Sequence, residues 1–289
     1  MRVGVGLPNS VPGTEASLLL EWARRADRGP FTSVGVLDRV GYDCHDPLSL
    51  LAAAATVTEH VNLVTMVVIA PLRSTALLVK QAAFIDAVSG GRLVLGLAVG
   101  ARTADYEAAG IDHRDRGRQF EEQLASLRDR WETGPGPRAA RPRGPELLVG
   151  GGSDVSFARV ARYADGYVHG GGPPRAFARA AERARAAWTD AGRPGRPALW
   201  GQSYFALGDD ETVLRGRDYM LDYYAFTGPF AKKIADGLLT SPQAVLQQIR
   251  GYAEAGCDEL VLLPAVADPD QLDRLADVVA DARPLGAAP

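Results

Sequence analysis

Only two cysteines, Cys44 and Cys257, occur in 289 residues. They stand far apart and without metal-ligand spacing, which excludes a disulfide scaffold and suits a reducing compartment. Both are expected to be packing residues rather than nucleophiles. An excess of basic charge is also missing. Against 35 Asp and Glu the chain sets 32 Lys and Arg, a formal net charge of -3, which leaves no footprint for nucleic acid or an anionic membrane. No apolar run is long enough to span a bilayer, and the opening MRVGVGLPNS lacks the apolar core of a secretory signal. A cytoplasmic protein with neither nucleic-acid nor membrane partners is expected. The G-x-G-x-x-G fingerprint of an open dinucleotide-binding sheet is absent too. GVGLPNS puts Pro8 and Asn9 where that motif needs free backbone N–H groups and a third glycine.

What the chain does have is alternation. Apolar strand segments are RVGVGLP, FTSVGVLD, VNLVTMVVIAP, RLVLGLAVG, PELLVGG, DGYVHG, ALWGQSYFALG and CDELVLLP. Between them run stripes at helical spacing: Leu18, Leu19, Trp22, Ala23 and Ala26 after a Thr14 cap; Leu48, Leu51, Ala52 and Ala55 after Pro47; and Phe120, Leu124, Leu127 and Trp131. Phe157, Val160, Ala161 and Ala164 make another, as do Phe177, Ala180, Ala184, Ala187 and Trp188, and Ser241-Pro242 opens a late helix. Eight strand–helix units imply a parallel sheet, and eight is the number that closes a (β/α)8 barrel. With the nucleotide motif missing, the expectation is a TIM barrel in a single domain, residues 1–289. The proline-broken GPRAARPRG, with Arg138, Arg141 and Arg143, reads as a solvated loop.

Barrel chemistry sits at the C-terminal ends of the strands. That rule selects Asn9 and Ser10, Asp38 and Arg39, Met66 to Ala70, Gly100 to Arg102, Gly151 to Ser153, and His169 to Gly172. These positions hold no paired acids, metal-ligand cluster or Ser-His-Asp arrangement, so no metal is expected. Glycine-rich backbone and apolar surface suit a bound organic cofactor instead. Of four histidines, His60 reads as a helix-end cap and His113 as exposed, while His45 and His169 face the mouth and stand open between a site role and a structural one. Gly151 and Gly152 precede Ser153, a candidate N-cap whose helix offers unpaired N–H groups to an anion, and Gly170 and Gly171 clear the neighbouring strand end. A cofactor phosphate between these two turns is the expected arrangement.

The stretch from DPLSLLAAAATVTEHVNLVTMVVIAP through KQAAFIDAVSGGRLVLGLAVG, with PELLVGGGSDVSFARVARYADGYV, resembles the luciferase-like monooxygenases. The resemblance implies a (β/α)8 barrel, often homodimeric, using reduced FMN with oxygen or the deazaflavin coenzyme F420 as a hydride carrier. It implies a ring resting on a bulge in strand three, with a cis peptide at Met66–Val67. Many members carry a histidine after the acid ending strand two; here Arg39 follows Asp38, leaving a charge-stabilising rather than a proton-transfer role there. His45 is the nearest substitute in sequence.

FMN ends in a phosphomonoester, which favours a guanidinium, and Arg102 is the one near strand four. F420 carries a singly charged phosphodiester, which backbone N–H groups satisfy, and this tips the expectation toward F420. An FMN enzyme would also need a flavin reductase as partner. The aromatic segment DYMLDYYAFTGPFAKK suits a lid over a small organic substrate. Two other readings stand beside these: an aldolase or isomerase barrel, which would want a lysine or acid at a strand end, where none of the eight has a lysine, and a non-catalytic flavin-binding protein.

Overall fold

A computed structural model describes residues 1–282 of the chain. Strand β1 (Arg2–Gly6) leads into helix α1 (Ala16–Arg28), and β2 (Ser33–Val36) into α2 (Pro47–Ala55). The third stave is split into β3 (Asn62–Thr65) and β4 (Val68–Ile69), with α3 (Thr75–Val88) after it. Next come β5 (Leu93–Ala98), the short α4 (Thr103–Ala108) and the long α5 (Arg116–Glu132). Then follow β6 (Glu146–Gly150), α6 (Asp154–Tyr163), β7 (Gly166–His169) and α7 (Pro174–Asp190). After β8 (Ala198–Phe205) stand α8 (Asp210–Tyr223), α9 (Phe230–Ala235) and α10 (Pro242–Glu254), before β9 (Glu259–Pro264) and α11 (Asp270–Ala282). All pairings between strands are parallel; β1 bonds to β2 and β9, and β5 closes the circle on β3 and β4. The result is a closed (β/α)8 barrel, as the alternation predicts.

Strand periodicity divides the apolar residues between two cores. Val64, Val94, Leu148, Val168, Trp200 and Val261 cluster inside the barrel. Their strand neighbours Leu63, Leu93, Leu147, Val149, Leu199 and Leu262 join the buried stripes of the helices. Leu19, Trp22, Ala23 and Ala26 of α1 and Phe120, Leu124, Leu127 and Trp131 of α5 are all buried. Each large one contributes on the order of 1.5–3 kcal/mol. Asp46, Ser153 and Ser241 cap their helices by accepting from Ser49, Ser156 and Ala244 N–H. Thr14 does not cap α1: its hydroxyl turns back to the Val11 carbonyl, and Glu15 holds the cap position.

The loop with Arg138, Arg141 and Arg143 is not wholly solvated. Arg141 Nη2 donates to Asp86 Oδ1 at 2.9 Å, because the buried Asp86 carboxylate at the end of α3 needs a counterion. Both cysteines are free, and burial pushes each thiol up to about 12. They remain protonated at neutral pH, as expected of packing residues. His60 pairs with Asp27 at 3.3 Å, and His113 sits edge-on to Tyr106 and bonds Arg116, so it is only half-exposed.

The third stave departs from a continuous strand. Val64 faces Val94 on β5, yet Val68 faces Leu97, so residues 65, 66 and 67 stand opposite only 95 and 96. This is a one-residue bulge, and the Met66–Val67 bond within it is cis, as the resemblance implies. Gly96 makes room for it: a Cβ there would collide with the Thr65 carbonyl oxygen.

Candidate functional site

On the β2 to β5 side of the mouth, Asp38, Arg39, Arg73 and Arg102 are each held by another group of the chain. Asp38 accepts from Ile69 N–H at 2.8 Å and from Arg73 Nη1 and Nη2 at 2.5 and 2.9 Å. Burial pushes its carboxyl up and the Arg73 guanidinium opposes that shift. Arg39 donates through Nε to both oxygens of the fully buried Asp105, at 3.2 and 3.0 Å. Asp105 also accepts from Val40 and Gly41 N–H. His45 Nε2 lies 2.7 Å from the Thr14 carbonyl and its backbone N–H donates to Asn9, which ties the loop after β2 to the one after β1.

A roof of aromatic rings covers this side. Arg102 Nη2 donates to the Tyr223 carbonyl at 3.2 Å, and its guanidinium lies 4.3 Å from the ring centroids of both Tyr223 and Phe226. Arg39 lies 4.7 Å from the Tyr42 ring and 5.2 Å from Tyr223. Tyr219 donates to or accepts from Ser10 at 2.7 Å, and Tyr224 OH donates to Tyr204 OH at 3.2 Å. Burial pushes the phenols of Tyr204, Tyr219, Tyr223 and Tyr224 up, so these four rings are uncharged at neutral pH. Met66 and Val67 pack in one apolar cluster with Tyr219, Tyr223 and Tyr224. Gly100, at φ +68°, turns the chain toward Arg102 where a Cβ would press on Ile69.

The β7 and β8 side is open. A cavity of about 710 Å³ is lined by His169, Gly170, Gly171, Gly172, Ser203, Tyr204, Met220, Tyr224, Phe230, Ile234 and Gln248, with Arg175 and Lys233 at its wall. That size suits a drug-sized ligand or part of a cofactor. Pairing of Gly150 with Val168 sets the Gly151–Ser153 turn beside the Gly170–Gly172 turn. A Cβ at Gly152 or at Gly170 would meet nothing within 4 Å, so both face open space. Ser153 caps α6 there, and Arg183 donates to the Gly152 carbonyl at 3.0 Å.

Tyr167 links the two turns. Its hydroxyl donates to the Gly151 carbonyl at 3.0 Å and lies 3.2 Å from His169 Nδ1. With its one proton given to Gly151, the phenol accepts from Nδ1–H, which leaves Nε2 with the lone pair. Nε2 is buried beside the cavity without a partner. Burial holds the His169 pKa below its ordinary value, so the ring is neutral at pH 7.

The predicted site residues thus divide. His169, Gly170 and Gly171 line the cavity, and Gly151, Gly152 and Ser153 border it from the adjacent stave. Arg39, Met66, Val67 and Arg102 meet the aromatic roof, whereas Asp38 is held by Arg73 and Ile69, Gly100 turns beside Ile69, and His45 joins the loop after β1. Tyr167, Arg175, Arg183, Lys233 and Gln248 did not emerge from the sequence. Of these, only Arg175 carried a signal, standing just after the second glycine cluster and two prolines.

A family model described as luciferase-like monooxygenase matches residues 1–256. Pyrimidine monooxygenase RutA of Stutzerimonas stutzeri is 31% identical over 173 residues, 51% of this chain and 47% of that protein. The chain spans about half the length of the curated relatives it matches. An F420-dependent secondary alcohol dehydrogenase, solved with an F420-acetone adduct, superposes with a TM-score of 0.79 at 16% identity, over 98% of this chain and 100% of that one. The oxygenating constituent of 3,6-diketocamphane monooxygenase from Pseudomonas putida, solved with FMN, gives 0.76 at 18% identity, over 100% and 99%. At those identities the two structures speak to the fold alone.

Proposed function

This chain belongs to the luciferase-like monooxygenase family, and from that premise we propose that it is an F420-dependent oxidoreductase moving a hydride to or from a small organic substrate. One observation carries the reading: beside the cavity a buried, neutral imidazole nitrogen, His169 Nε2, is left without a partner. A lone pair there suits removal of a proton from a substrate hydroxyl as its carbon gives up a hydride. When bound, the deazaflavin supplies the hydride-accepting ring. The two glycine turns fit its phosphodiester, since Gly152 and Gly170 leave space for an anion and the N-terminus of α6 supplies N–H groups. Arg39 and Arg102 do not serve that phosphate, because Asp105 and the Tyr223 carbonyl hold them.

Titration with F420 and with reduced FMN tests the choice, with F420 expected to bind about tenfold more tightly or better. In the F420 enzyme, His169→Gln should lower turnover by roughly 10²- to 10⁴-fold while cofactor affinity holds. Equal turnover in that variant would remove His169 from the chemistry. A second reading, a reduced-FMN monooxygenase served by a flavin reductase, is favoured by Arg183. Asp154 and the Gly152 carbonyl hold its guanidinium at that turn, but unlike the buried Arg39–Asp105 pair this one is exposed, so a dianionic phosphate can displace the carboxylate.

The same family membership, with a row of exposed apolar side chains on α3, supports assembly as a homodimer. Leu77, Phe84 and Val88 are 60%, 56% and 42% exposed and lie along one face of that helix.

A further inference from the structure

The cavity beside the glycine turns carries two cations with nothing to neutralise them. Arg175 stands in the first turn of α7 and Lys233 on α9, and both line the cavity wall. Lys233 Nζ lies 5.5 Å from the Phe230 ring, and neither cation has a carboxylate or carbonyl partner among the described residues. Asp236, the acid on that wall, is bridged to Lys232 at 3.0 Å. The arginines of the opposite half of the mouth show the contrast. Arg39, Arg73 and Arg102 are each held by a carboxylate or a carbonyl of the chain itself.

An anion entering the cavity meets two cations that no carboxylate of the chain holds, and can pair with them. Tyr204, Met220, Tyr224, Phe230 and Ile234 make part of the wall apolar or aromatic, which offers a surface to a ring. We propose that this cavity takes a substrate with an apolar body and an anionic group, a carboxylate or a phosphate. The body packs on Tyr204, Met220 and Tyr224, and the anion is held by Arg175 and Lys233. This rests on the reading of the cavity as the active-site cavity.

The test compares naphthalene-2-carboxylate with 2-naphthalenemethanol, which share a ring and differ in charge, by calorimetric titration of the full chain. Wild type should bind the carboxylate about tenfold more tightly, as expected of a charge-assisted contact. In Arg175→Ala/Lys233→Ala that advantage should vanish while affinity for the alcohol holds. Both side chains are exposed and hold no hydrogen bond or ion pair, so thermal melting should be nearly unchanged. No advantage in wild type, or one that survives in the double variant, overturns the clamp. FMN and riboflavin, titrated into both proteins, separate the source of the anion. If the double variant weakens FMN but not riboflavin and leaves the carboxylate advantage intact, the clamp serves the cofactor and the substrate assignment falls. If neither FMN nor F420 binds wild type while the carboxylate advantage persists, the oxidoreductase reading fails and the anion clamp stands.

Discussion

Gly151 and Gly152 are neighbours with opposite tolerances. Gly151 sits at φ +132°, and a Cβ there would collide with Ser156 Oγ, whereas Gly152 has an ordinary φ and open space. Gly151→Ala should therefore cost about 1–2 kcal/mol in urea unfolding, while Gly152→Val melts like wild type. The valine should still weaken cofactor binding severely if the phosphate rests on that turn; undiminished affinity in a folded Gly152→Val protein would remove the phosphate from it. His169 gives a pH signature. Its folded pKa lies below the ordinary 6.5, so below that pH the unfolded chain binds a proton that the folded one refuses. Its contribution is complete above about 6.5 and is lost as the pH falls toward the folded value. The slope of unfolding free energy just below about pH 6.5 should flatten in His169→Gln, and an unchanged slope would assign it to other groups. At this scale the glycines were legible because only backbone space distinguishes them. The engagement of Arg39 was not, since Asp105 and Tyr223 lie 66 and 184 residues away.

Helix α8 and the short 3-10 turn Ala225–Thr227 after it form the roof, and the arginines below decide how firmly it sits. Arg39 and Arg102 both donate to the Tyr223 carbonyl, and Arg102 stacks on Tyr223 and Phe226. Cation–π contacts of this kind are worth about 0.5–2 kcal/mol each. Arg102→Ala should raise amide hydrogen exchange in residues 223–227 several-fold and leave the β8 strand unaffected. Exchange that does not change would mean the roof is held by its rings alone. The segment was readable as an aromatic lid, but not what fastens it, because one fastening carbonyl belongs to the backbone. The bulge in the third stave was likewise hidden in a uniform apolar run. It became an expectation through the family resemblance, and the register against β5 then displayed it. Helices α4 and α9, six residues each, left no periodic stripe to find.

The barrel was the most legible level, because each stave repeats the same apolar pattern and each helix buries one stripe against it. Closure itself is a property of all eight staves together, so it followed from their number rather than from any segment. What the repeated pattern does not absorb is then informative. On α3, Leu78, Ala82 and Ile85 face the core, as the barrel requires. Leu77, Phe84 and Val88, on the other side at spacings of seven and four, serve no contact within the chain's own core. Single exposed apolar residues are ordinary, but a row on one helix face is a surface to be covered. A twofold axis would bring two such faces together, each row covering the other. Wild type should therefore sediment at twice the 30.7 kDa of one chain. Phe84→Glu should shift it to the single mass at about 10 μM, at less than about 0.5 kcal/mol to the stability of the isolated barrel. A wild type that sediments as one chain at that concentration, or a Phe84→Glu variant that stays paired, would place the dimer contact elsewhere or abolish it.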